Sequence, residues 1–214
     1  MSVNGETRQS NIELLRIFSI LGVIILHLNS YGGGLAHSSG MPVNNLILYV
    51  LESCFACAVD TFMIISGYFM ANSDTRDFWK PIKLIAQVTL FRVLVYIVSI
   101  IIGSAEFSIK HLIGSLLPEN YFVILYCTVF VLSLYLGFIM DHLTNRGRKQ
   151  MIICAFVILS VYPTLVDFVS TISGAQLAGL NSLGASGDQN GYTFVNFTLC
   201  WMIGAFIRKQ KSSI

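Results

Sequence analysis

The chain has 214 residues, of which 55% are hydrophobic and only 11% are charged. A soluble domain carries about 25% charged residues, so this chain cannot cover a fully water-facing surface and much of its exterior must face lipid. The formal net charge of +2 indicates no particular partner, and we expect no binding of nucleic acid.

Six stretches of the sequence are long and apolar enough, or nearly so, to cross a membrane, which takes about 20 mostly apolar residues. They are 12–30, 46–70, 82–103, 121–140, 150–172 and 192–207. Their apolar runs are continuous rather than alternating, which favours helices over barrel strands. The sequence therefore predicts an all-α, polytopic transmembrane helix bundle of about six spans, forming a single domain over residues 1–214.

The lysines and arginines predict the orientation of these spans. If the N-terminus is cytoplasmic, every inner boundary is basic, the outer side receives only Lys110, and Arg92 falls within the third span. Cytoplasmic loops are enriched in lysine and arginine, so both termini are expected in the cytoplasm. A cleaved signal peptide is the alternative for the first apolar run, but His27 and Asn29 at the end of that run favour a retained helix.

The five cysteines all lie inside apolar runs, where they are expected to act as small packing residues rather than as a disulfide framework. Cys54 and Cys57 share a helix face, but no second pair completes a zinc site. We therefore expect no metal.

Three ionisable residues of the first span lie on nearly one helix face: Glu13, Arg16 and His27. Arg16 and His27 are eleven residues apart, which is about three turns and about 16 Å of rise. In a functional interpretation His27 is a general base, since an imidazole titrates near neutral pH, and Arg16 binds an anion at the cytoplasmic mouth. In the structural alternative Arg16 reaches lipid headgroups and His27 bonds a neighbouring helix. The spacing favours neither.

The second span contains the deepest acid of the chain, Asp60, which either orients and charge-stabilises His27 or pairs with Arg92. Glu52 lies nearer the outer surface and Ser66 nearer the inner one. Lys80 and Lys83 precede the third span. They either bind a phosphorylated ligand or contact anionic lipid, and both interpretations stay open.

Four segments resemble the membrane-bound acyltransferase 3 family, many of whose members acetylate surface carbohydrates in bacteria. Arg16 and His27 look like the family's first-helix signature, and 59–69, which includes Ser66-Gly67-Tyr68, is similar to its second-helix motif. The aromatic segment 120–126 and the segment 201–209 resemble later helices. The likeness runs along essentially the whole chain.

The resemblance implies transfer of an acyl group, usually acetyl in this family, from cytoplasmic acyl-CoA to a hydroxyl of a cell-surface or lipid-linked carbohydrate. It makes acyl-CoA a donor substrate rather than a bound cofactor, and implies a multi-pass protein of the bacterial cytoplasmic membrane. His27 carries over as the catalytic histidine and Arg16 as its signature partner. From its own position in the second span, Asp60 is expected to tune His27 electrostatically. Arg16, Lys80, Lys83 and Ser66 are the expected substrate-binding residues.

The chain departs from the family pattern in three respects. Met63 replaces a phenylalanine, lysines 80 and 83 replace the usual arginine pair, and members typically have several more spanning helices. A truncated member is therefore expected. The alternative function is that of an inactive member serving as a non-catalytic membrane subunit or polysaccharide export partner. A partner protein or a homo-oligomer is compatible with either function.

Overall fold

The computed structural model describes residues 9–72, 77–117, 120–175 and 193–211. The described residues are almost entirely helical, and no strand occurs among them. The helices are α1 Ser10–Asn29, α2 Gly34–His37, α3 Pro42–Phe55, α4 Ala58–Met70, α5 Trp79–Ile101, α6 Ile109–Leu116, α7 Tyr121–His142, α8 Asn145–Phe156, α9 Tyr162–Ser173 and α10 Phe194–Lys211. A π-helical turn, Val157–Val161, joins α8 to α9. The all-α prediction is confirmed.

Five helical segments of the described chain are long and apolar enough to cross a membrane: Ser10–Asn29, Pro42–Met70, Trp79–Ile101, Ile109–His142 and Asn145–Ser173. They correspond to the first five predicted spans. The sixth predicted span also forms a helix, α10, but its 18 residues include Arg208, Lys209 and Lys211. With three charged residues, α10 is too polar to count among the five apolar segments, although its central residues are apolar.

The second span is interrupted between α3 and α4, at Ala56 and Cys57. Both the backbone amide and the side-chain hydroxyl of Thr61 donate to the carbonyl of Cys57, at 3.0 Å and 2.8 Å. A threonine hydroxyl that bonds the carbonyl four residues earlier tends to bend a helix. These two bonds lie in the first turn of α4, directly after the interruption.

The π-helical turn in the fifth span has a local cause. Pro163 is the second residue of α9 and follows the turn directly. Proline lacks a backbone N–H and its ring crowds the carbonyl four residues earlier, so the preceding turn must widen or kink. The Gly/Ser-rich stretch 173–191 that follows lies largely outside the described residues.

The chain divides into two compact units, Met1–Ala71 with Leu199–Ile214, and Asn72–Thr198. In the first unit α1 packs along both α3 and α4. Ser19, Gly22 and Asn29 form the buried side of α1, and a Cβ atom at Gly22 would lie 2.6 Å from Phe55 and 2.9 Å from Ala58. In the second unit α5 packs against α6 and α7.

Large apolar side chains cover the outside of the helices. On α5 only Pro81 is buried, while Leu90, Phe91, Val95 and Ile101 are each more than half exposed. Exposed apolar surface on this scale is unfavourable in water but matches a hydrocarbon environment. The exposure pattern therefore supports the prediction of a membrane protein.

Helices α4 and α10 approach within the first unit so closely that only glycine fits at two positions. A Cβ atom at Gly67 would collide with the backbone carbonyl of Trp201, and one at Gly204 with the backbone carbonyl of Ile64. Small residues at helix contacts let backbones approach closely in membrane bundles. This reciprocal contact fixes the ends of α4 and α10, where Tyr68 and Arg208 lie.

Candidate functional site

Arg16 lies on α1 and interacts with an acid of its own helix and with a ring of α4. Its Nη1 atom donates to Oε1 of Glu13 at 3.0 Å, and the side chain remains 40% exposed. The guanidinium carbon lies 5.1 Å from the centre of the Phe69 ring, a cation–π arrangement. Arg16 is thus held on two sides and still accessible.

A second arginine occupies the same end of the first unit. Arg208, on α10, lies with its guanidinium carbon 5.1 Å from the centre of the Tyr68 ring and donates from Nη1 to the Tyr68 hydroxyl at 3.3 Å. That hydroxyl in turn donates to Oε1 of Gln9 at 2.9 Å. These contacts bring the start of α1 and the ends of α4 and α10 together.

Sequence reasoning identified Arg16 as a site residue but not Arg208, Tyr68 or Gln9. Arg208 was visible only as one of several basic residues at the predicted inner boundary. Tyr68 was visible only as a motif residue. Their contact depends on the packing of α10 against α4, more than a hundred residues apart in the chain, and no local pattern reveals it.

His27 lies near the other end of α1, where its side chain is exposed. Its Nδ1 atom is 2.8 Å from the carbonyl oxygen of Val23. Because a carbonyl only accepts, Nδ1 carries the proton, and in the neutral ring Nε2 then has the lone pair. The ring also lies 5.6 Å from the Tyr31 ring.

The Arg16–His27 spacing keeps its predicted geometry, because α1 is one uninterrupted helix. The two side chains therefore lie on one face of α1, about 16 Å apart along its axis. Ser19, Gly22 and Asn29 form the buried face of α1. Arg16 and His27 lie on the neighbouring face of the same helix. The action of these two residues on a substrate stays a prediction.

Asn29 and Glu52 form a polar contact that sequence reasoning did not assign. The Asn29 side chain is 1% exposed, and its Nδ2 donates to the Leu48 carbonyl at 3.0 Å and to Oε2 of Glu52 at 2.9 Å. The two acceptors fix the orientation of the amide, because the reverse assignment would place its oxygen against both. The Oδ1 atom has no hydrogen-bond partner among the described residues.

Asp60 is half-buried in the first turn of α4, close enough to Cys200 to interact with it electrostatically. Among the described residues His27 makes no hydrogen bond to Asp60; its own bond is to Val23. The Arg92 side chain donates to the carbonyl of Leu117. The electrostatic role of Asp60 stays a prediction.

The remaining predicted binding residues lie in different surroundings. Ser66 donates its hydroxyl proton to the carbonyl of Phe62 at 2.8 Å, so towards a substrate it offers chiefly its lone pairs. Lys80 and Lys83 are exposed near the start of α5, in the second unit. All five cysteines carry free thiols, and no cluster of three potential metal ligands occurs within the described ranges.

The helices and their exposed apolar surfaces define a helical integral membrane protein, with arginines and aromatic rings at one end of its first unit. The model of an acyltransferase domain family, acyltransferase 3, matches residues 9–214, nearly the entire chain. The chain therefore belongs to the acyltransferase 3 family, and the predicted membership is confirmed. No curated protein and no solved structure matches the chain significantly.

Proposed function

We propose that this membrane acyltransferase transfers an acyl group from acyl-CoA to a hydroxyl of a cell-surface or lipid-linked carbohydrate. The acyl group that we propose is acetyl. Family membership supports acyl transfer in general. The observation that carries the mechanism is the hydrogen bond from His27 Nδ1 to the Val23 carbonyl. This bond leaves Nε2 as the basic nitrogen of an exposed imidazole.

In the proposed step, Nε2 of His27 takes the proton of the acceptor hydroxyl while the hydroxyl oxygen attacks the thioester carbonyl. The new C–O bond forms, the C–S bond breaks, and the CoA thiolate leaves with the proton that the imidazolium returns. General-base assistance of this kind contributes typically about 10²–10⁴ in rate. Asp60 remains the proposed electrostatic partner of the imidazolium.

Arg16 is proposed to bind the phosphates of the donor. A guanidinium matches phosphate geometry and can donate two parallel hydrogen bonds. Its separation of about 16 Å from His27 along α1 leaves room for the extended pantetheine arm between phosphates and thioester. Lys80 and Lys83 are proposed to support anion binding from their own helix.

The test is transfer of radiolabel from acetyl-CoA to a cell-wall or capsule carbohydrate fraction by purified protein. We expect His27→Ala to reduce transfer by about 10²-fold or more, with membrane insertion unchanged. His142→Ala is the matched control, because His142 Nδ1 makes the same bond to a backbone carbonyl, that of Phe138, at 2.9 Å.

Equal loss in both variants would point to a folding defect. Full activity of His27→Ala would remove this histidine from the mechanism. Failure of the folded wild-type protein to transfer label to any acceptor fraction would favour the non-catalytic alternative, a membrane subunit or export partner.

A further inference from the structure

We infer that Tyr31 forms a stacking surface for a sugar ring of the acceptor, beside His27 at the end of α1. The inference rests on the proposed function for the nature of the acceptor and for the role of His27. It adds a residue that binds the carbohydrate, whereas Arg16 is assigned to the donor.

The rings of Tyr31 and His27 are close neighbours. Their centres are 5.6 Å apart, and their planes are inclined to each other by 39°. Tyr31 is also 85% exposed, so the imidazole covers little of the tyrosine ring. A flat aromatic surface is therefore open for contact directly beside the proposed general base.

The turn that carries Tyr31 is fixed by its backbone. The amide of Gly32 donates to the carbonyl of His27 at 2.9 Å, the longer of the two hydrogen bonds that close a helix in the Schellman arrangement. A Cβ atom at Gly32 would lie 2.6 Å from the carbonyl oxygen of Leu28, and Gly33 has a φ of +70°. Both positions require glycine, and together they hold the backbone of Tyr31 in place relative to that of His27.

The residues on either side attach this end of α1 to the rest of the first unit. Before the turn, Asn29 is buried and donates twice to α3. After the turn, Nδ1 of His37 lies 2.7 Å from the carbonyl oxygen of Gly33. Tyr31 thus projects from an anchored helix end, and a binding residue placed in advance loses less conformational entropy when its ligand binds.

A sugar is the chemistry that fits an exposed tyrosine beside a base. The C–H groups of a pyranose ring form an apolar face that packs flat on an aromatic ring, while the hydroxyl groups point to the sides and stay available. A sugar that stacks on Tyr31 presents a hydroxyl group at its edge to the neighbouring imidazole of His27. The same contact that binds the acceptor would therefore orient it for loss of the hydroxyl proton.

Tyrosines also anchor helices at the depth of lipid headgroups. The contact with His27 favours the sugar, because a lipid anchor needs no histidine beside it. The experiment separates the two roles.

The assay is transfer of label from saturating acetyl-CoA, with the acceptor carbohydrate fraction titrated. We expect Tyr31→Ala to raise the half-saturating concentration of the acceptor fraction by about threefold to tenfold, the range for loss of one aromatic contact. The KM for acetyl-CoA should stay unchanged. Tyr31→Phe and Tyr31→Trp keep an aromatic face and should stay within about twofold of the wild type. Tyr31→Leu keeps apolar bulk without a flat ring and should resemble Tyr31→Ala.

Tyr49→Ala is the matched control, because Tyr49 is a tyrosine of the same unit, 55% exposed on α3. It should change the acceptor dependence by less than about twofold. Equal shifts in Tyr31→Ala and Tyr49→Ala would overturn the inference in favour of general anchoring in the membrane. Wild-type acceptor dependence of Tyr31→Leu would also overturn it, because apolar contact without stacking would then suffice.

The experiment also separates this inference from the proposed function. If the wild-type protein transfers label to the carbohydrate and Tyr31→Ala has the same acceptor dependence, only the inference fails. If the folded wild-type protein transfers label to no carbohydrate fraction, the proposed acceptor and the inference fail together.

Discussion

Asn29 shows how one residue joins two helices of the first unit. Its buried amide donates to the carbonyl of Leu48 and the carboxylate of Glu52, both on α3. A buried polar group without partners is costly, and more so in hydrocarbon than beside water. The pair therefore holds α1 against α3 and fixes the direction of the Glu52 side chain.

We expect Asn29→Ala to lower the stability by about 1–2 kcal/mol, because Glu52 loses its donor and a small cavity forms. The measurement is the unfolding midpoint of purified protein in one detergent. Asn44→Ala is the control: Asn44 is exposed on the same helix as Glu52, and its replacement should cost less than about 0.5 kcal/mol. Indistinguishable midpoints for the two variants would show that the Asn29 contacts contribute nothing.

At the scale of elements, the contact between α4 and α10 explains why a glycine occupies position 67. Gly67 follows Ser66 in the segment that resembles the family's second-helix motif, and its missing Cβ lets the backbone of Trp201 approach. Gly204 serves the same purpose against Ile64. The glycines position Tyr68 and Arg208, so their effect on the candidate site is indirect.

Gly67→Ala and Gly204→Ala should each destabilise the protein by about 1–3 kcal/mol, since the added methyl group collides with backbone atoms that cannot move independently. Gly137→Ala is the control, and its stability is expected to change in the opposite direction. A Cβ atom there meets nothing within 4 Å, so the higher helix propensity of alanine should stabilise by up to about 1 kcal/mol. Thermal unfolding of the three variants in detergent measures both directions. A stable Gly67→Ala variant would contradict the close approach of α4 and α10.

At the scale of the whole molecule, exposed apolar side chains and the distribution of positive residues indicate how the chain lies in a membrane. The first unit brings the start of α1 and the end of α10 to one end through Gln9, Tyr68 and Arg208. The distribution of lysine and arginine predicts that this end is cytoplasmic.

Cysteine labelling tests this orientation in a variant whose five native cysteines are replaced. With a thiol reagent that does not cross membranes, Lys110→Cys should react in intact cells. Lys211→Cys should react only after the cells are permeabilised, because it belongs to the predicted inner boundary. Labelling of Lys211→Cys in intact cells, with Lys110→Cys protected, would reverse the predicted orientation.

The sequence by itself determined the helical class, the apolar segments and the family, because each depends on local composition or on short motifs. A run of about 20 apolar residues can satisfy its backbone hydrogen bonds in lipid only as a helix. The positions of Arg16 and His27 on one face of α1 likewise needed only the helical repeat.

Tertiary structure decided the contacts between residues distant in the chain. The pairing of Arg208 with Tyr68, of Asn29 with Glu52, and of Gly67 with Trp201 depends on which helix faces meet. Nearly every face of these helices is apolar, so hydrophobic periodicity, which shows the buried face in a soluble protein, gives little indication here. In lipid, close packing and a few polar contacts select the neighbouring helices, and these become visible only when the helices are assembled.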